Sequence, residues 1–85
     1  MADDAVAERF RAYLREKELP VTSQRLVIAE LLLHAPGHLS AEDVAAQVLA
    51  HGHKVGLATV YRTIDLLVDS GLVVERDFGE GFRRF

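Results

Sequence analysis

"GLATVYRT", residues Gly56 to Thr63, sets two threonines, a tyrosine and an arginine close together with no acid among them. The run leads into helical periodicity. Val60, Ile64, Leu67 and Val68 recur at the spacing of one inward stripe, which predicts a helix over about Ala58 to Ser70. Gly71 stops it, as the residue that most readily takes the left-handed turn after a helix. The complementary face carries Ala58, Thr59, Tyr61, Arg62 and Asp65. This helix therefore starts with an outer side whose only charge is a guanidinium.

Upstream, Ser40 opens a third helix with Ala41, Glu42 and Asp43 behind it, the S-x-x-[DE] pattern of a capping box. Val44, Val48 and Leu49 are expected to form its buried face, and Gly52 follows its end. Before that, Thr22 reads as the N-cap of a second helix over about Ser23 to Ala35, striped by Val27, Ile28, Leu31 and Leu32 and ended by "APGH". A first helix over about Asp3 to Lys17 is expected from Val6, Phe10, Tyr13 and Leu14, with acids in its first turn and Arg15 and Lys17 in its last. "ELPVT" breaks it, because the residue before Pro20 is pushed out of helical geometry. Downstream of Gly71, "LVVERDF", a turn "GEG" and "FRRF" predict a two-stranded hairpin. The expected fold is mainly α with a small β-hairpin: a winged helix-turn-helix of four helices and a two-stranded wing. The third helix would support and the fourth would recognise, presenting its N-terminal residues to base edges in the major groove.

Composition limits the alternatives. The 85 residues, 49% hydrophobic and 27% charged, suit one small globular domain spanning residues 1–85. No cysteine is present, so disulfides, a thiolate zinc site and a cysteine nucleophile are excluded. No apolar run approaches the ~18 residues of a membrane helix, and "MADDAVAERF" lacks the order of a signal peptide, so a cytoplasmic location without membrane partners is expected. Ser23, Ser40 and Ser70 have no triad or elbow context, and no enzyme activity is expected. The net charge of −3 opposes binding to phosphates, yet no acid lies between Asp43 and Asp65, the interval that holds His51, His53, Lys54 and Arg62. Local sign matters more for steering than the total.

"TSQR" (22–25), "HLSAEDV" (38–44), "GLATVYRTID" (56–65), "GLV" (71–73) and "DFGEG" (77–81) stand in an order and spacing that resembles the ferric uptake regulator family of metal-dependent bacterial repressors. The resemblance covers nearly all of the chain from Thr22 onward. It implies the DNA-binding domain alone, with the family's C-terminal dimerisation and metal domain absent from these residues. It also implies a double-stranded DNA partner, a two-fold and A·T-rich operator, a homodimer for the whole protein and a monomer or weak dimer for this part.

By the same resemblance Tyr61 and Arg62 face DNA, Ala58 and Thr59 lie near its backbone, and His38 is a metal ligand in the full-length protein only. The cofactor implied there is a divalent metal, Fe2+, Zn2+ or Mn2+, and none is expected on these residues alone. Iron uptake is the expected process, with zinc, manganese or peroxide sensing as alternatives. Many members carry Gly-x-Arg/Lys-x-Thr where this chain has "ELPVT", so Pro20 occupies the basic position and Arg25 is expected to take over backbone contact. Lys54, Arg76, Arg83 and Arg84 are further candidates for the backbone.

Blander readings stand beside these. Arg62 could pair with Asp65 or Asp69, Tyr61 could be a half-buried helix aromatic, and Thr59 could bond its own backbone. His51 and His53, with flanking glycine and no carboxylate nearby, read as loop residues, and His34 as a favourable charge partner for a helix C-terminus. A winged helix that binds protein instead of DNA is the rival from another class.

Overall fold

The structure is a computed structural model and describes residues 2–35, 37–77 and 83–85. In chain order it contains α1 (Ala2–Glu16), α2 (Ser23–Leu33), α3 (Ala41–Ala50), α4 (Leu57–Ser70), β1 (Arg76–Asp77) and β2 (Arg83–Arg84). α4 packs against α1, α2 and α3, and α2 bridges α1 and α3. Phe10, Leu14, Ile28, Val44, Val48, Val60, Ile64 and Leu67 are fully enclosed between them. This is the expected winged helix. Val6 and the "GEG" turn lie outside the residues whose side chains or backbone are described, as does Pro36 of "APGH".

The caps explain the boundaries. Thr22 accepts a hydrogen bond from the Arg25 amide, and Ser40 and Asp43 close a reciprocal capping box. Gly71 takes φ 82°, the left-handed turn expected of it. α1 ends earlier than the proline predicts. The Leu19 amide reaches back to the Leu14 carbonyl (2.8 Å) and the Glu18 amide to that of Arg15 (3.0 Å). That pair of bonds is a Schellman motif, and it puts Glu18 at φ 59°.

Three expectations on packing need correction. Leu49 is 63% exposed, because α3 turns Ala41, Val44 and Val48 inward and leaves Leu49 off that face. On α4 the fourth buried position is Thr63, with Val68 half-buried. Thr63 tolerates enclosure because its hydroxyl donates to the Thr59 carbonyl at 2.8 Å, so no polar atom goes unpaired. The strands are also shorter than "LVVERDF" suggests. Val73 is buried and its amide donates to the Leu67 carbonyl of α4, which withdraws that part of the chain from the ladder.

The wing pairs antiparallel, with Arg76 opposite Arg84 and Asp77 opposite Arg83. Phe85 and Leu39 exchange two further backbone bonds of 2.8 and 3.1 Å, which ties the wing to the segment entering α3.

Candidate nucleic-acid interface

α4 begins without a side-chain cap. Gly56 is its N-cap, no side chain bonds to the first turn, and no acid occupies that turn. The Thr59 and Val60 amides turn back to the Gly56 carbonyl, which leaves those of Leu57 and Ala58 for an outside acceptor, at the end of the helix that carries partial positive charge. Leu57 and Ala58 are exposed here, Leu57 to 45%.

Arg62 is exposed one turn on, and among the described residues its side-chain hydrogen bond is a long 3.5 Å approach to the Thr59 hydroxyl. It reaches neither Asp65 nor Asp69; Asp69 instead accepts the Tyr13 hydroxyl. Thr59 and Arg62 form one wall of a shallow cleft whose other wall is Pro20, Thr22, Gln24 and Arg25. Two guanidinium groups from different helices thus open on the same depression. The Arg25 guanidinium donates to the Pro20 carbonyl at 2.6 Å, which places a cation at the segment between α1 and α2.

Tyr61 is 43% exposed, and its hydroxyl donates to Glu42 Oε1 of α3 at 2.7 Å. The bond to this carboxylate raises the phenol pKa. The edge of α4 is therefore not free of acid: Glu42 is remote in sequence and adjacent in space. Spacing along the chain carried no sign of it.

The wing arginines are less available than expected. Arg83 pairs with Glu75 at 3.3 Å. Arg84 lies 3.8 Å from Asp43 and donates to the His38 carbonyl at 3.2 Å, so it secures the start of α3. Arg76 and Lys54 are exposed, and Lys54 lines an open groove with Glu42, Leu49 and Leu57.

His38 is exposed in the segment before α3. Among the described residues no three histidine, aspartate or glutamate side chains gather into a set able to hold a metal. A single imidazole does not fill a divalent coordination sphere. His51 and His53 share a cleft with Glu30, which corrects the expectation that no carboxylate is near them. His51 Nδ1 lies 2.8 Å from the Gln47 carbonyl, a helix-capping contact. His34 is the C-cap of α2, where its backbone amide donates to the Glu30 and Leu32 carbonyls. No described helix is long and apolar enough to cross a membrane.

A model of the ferric uptake regulator family matches residues 16–85. The ferric uptake regulation protein of Bacillus subtilis (strain 168) is 38% identical over 79 residues, covering 92% of this chain and 53% of that protein. The ferric uptake regulator of Pseudomonas aeruginosa, solved with manganese, superposes with a TM-score of 0.75 at 41% identity over 88% of this chain and 57% of its own. PerR from Streptococcus pyogenes, described for peroxide sensing and gene regulation, gives a TM-score of 0.78 at 28% identity over 93% of this chain and 54% of that one. The chain spans about half the length of these relatives.

Proposed function

Because the chain belongs to the ferric uptake regulator family, we propose that its 85 residues are the DNA-binding domain of a metal-responsive bacterial repressor. α4 enters the major groove, with Tyr61 and Arg62 toward the bases and Ala58 and Thr59 near the phosphates. The observation that carries this reading is the cleft in which Arg62 and Thr59 of α4 face Arg25 of α2, beside a helix start that is uncapped and exposed. Two guanidinium groups and open amides suit phosphate and base-edge oxygens. Arg25, already turned to Pro20, takes the backbone contact on that side, and Lys54 adds another from the connection.

In the longer protein His38 contributes one ligand to a site for Fe2+, Zn2+ or Mn2+, completed by residues beyond these. The whole protein binds as a homodimer to a two-fold, A·T-rich operator, while these residues alone are a monomer or weak dimer. Iron uptake is the process favoured by the relatives' names, with manganese or peroxide as alternatives within the family. A cytoplasmic location and the absence of enzyme activity go with this role.

The rival reading, a winged helix that docks a protein, draws on exposed Leu49 and Leu57 along one groove. A salt titration separates them. For a DNA-binding domain, log affinity for random duplex falls linearly with log salt, by roughly 0.9 per phosphate neutralised. No binding to random duplex at ~50 mM salt would favour the rival.

A further inference from the structure

Tyr61 sits at the edge of α4 with nearly half its surface open, and a phenol in that setting would ordinarily sample several rotamers. Here it is held. Its hydroxyl donates to Glu42 Oε1 at 2.7 Å, a charge-assisted bond across two helices between residues 19 apart in sequence.

Glu42 is well placed to act as a fixed post. It lies in the first turn of α3, where a carboxylate complements the helix N-terminus, and the Ser40–Asp43 capping box anchors that turn from both sides. Arg84, packed on Asp43 and on the His38 carbonyl, anchors it again. A flexible aromatic on the recognition helix is thereby tied to the rigid end of the supporting helix. An acid beside a DNA-facing edge repels phosphates, so its presence at this position calls for a compensating role.

We propose that Glu42 is a positioning residue for DNA recognition, holding the Tyr61 ring in the orientation that reads the groove before DNA arrives. The inference rests on the DNA-binding reading above. The ring arrives already ordered, so the complex does not lose that freedom on forming.

The test uses a duplex enriched from a random pool by the wild-type chain, and a scrambled duplex of the same composition. The readout is the ratio of the two affinities. Simple repulsion between Glu42 and phosphates acts on both duplexes alike and cancels in this ratio. Glu42→Ala and Tyr61→Phe should each lower the ratio by about threefold or more, and the double variant should fall no further than either alone. Glu42→Gln, whose amide oxygen accepts the same bond, should restore it. Thermal melts of each variant establish folding, and Tyr61→Phe tests the same bond from the other side should Glu42→Ala fold poorly. Equal losses in Glu42→Gln and Glu42→Ala, an unchanged ratio, or additive losses would overturn the proposal. If the wild-type chain enriches no duplex, the DNA-binding reading itself fails. If it discriminates and Arg62→Ala abolishes that while Glu42→Ala does not, only the role of Glu42 fails.

Discussion

Arg62 combines exposure with weak internal commitment. Its contact with Thr59 at 3.5 Å adds little, and among the described residues no carboxylate holds it. Removing such a side chain leaves stability within about ±0.5 kcal/mol. A guanidinium gripping a base edge, in contrast, contributes ~1–3 kcal/mol of discrimination. Arg62→Ala should therefore weaken binding to the enriched duplex about tenfold or more while the melting temperature stays put. Fluorescence anisotropy alongside a thermal melt checks both halves, and an unchanged affinity would strike Arg62 from the interface. Arg84 shows the opposite arrangement: its bonds to Asp43 and the His38 carbonyl make it a structural strut.

The turn that closes α1 contains a residue poorly suited to its backbone. Glu18 stands at φ 59° in the position where a Schellman motif ordinarily places glycine. A side chain there costs roughly 1–2 kcal/mol through the clash of Cβ with the following carbonyl. The motif persists because Leu19 follows and packs against the core that contains Leu14, as the apolar contact of this cap requires. Glu18→Gly removes the clash and adds about 0.5–1 kcal/mol of unfolded-state entropy to be lost. The net expectation is a gain of about 0.5–1 kcal/mol, read as a higher urea midpoint with an unchanged slope. A lower midpoint would mean that the carboxylate makes a contact that outweighs the strain. α3 illustrates the regular case, since Gly52 at φ 87° follows its C-cap His51.

Across the molecule, α1 is joined to the far end of α4 by the Tyr13–Asp69 hydrogen bond, spanning 56 positions of sequence. Phe10 stacks on the same Tyr13 ring, at a centroid distance of 6.2 Å, and Lys17 approaches it at 5.9 Å. The bond to Asp69 pushes the Tyr13 phenol up to about 12. A raised folded-state pKa means that the protonated phenol is favoured by folding. Its contribution is fully present below the ordinary tyrosine value of about 10 and is lost as pH climbs toward about 12. The stability difference between wild type and Tyr13→Phe should accordingly be largest below about pH 10 and vanish above about pH 12, measured by urea unfolding across that window. Tyr61, raised by Glu42, titrates in the same direction in both proteins and drops out of the difference. A gap between the two proteins that does not change with pH would show that the latch contributes nothing through its proton.

Much of this was legible along the chain, because helix periodicity, caps and left-handed turns are set by residues within about five positions of one another. Thr22, the Ser40–Asp43 box, Gly71 and the stripe of α4 are all of that kind, and so is the motif around Tyr61 and Arg62. Leu49 was misassigned because the apolar arc of α3 is wider than the face its neighbours can cover, and the rotation of a helix is settled by what packs on it. The partners of the charged groups were equally hidden. Glu42 against Tyr61, Arg84 against Asp43, and Glu30 beside His51 and His53 arise only when α2, α3, α4 and the wing are brought together. Local order is encoded by neighbours in the chain. The sign of the charge beside Tyr61 follows from which helices touch, since electrostatic contact depends on distance through space.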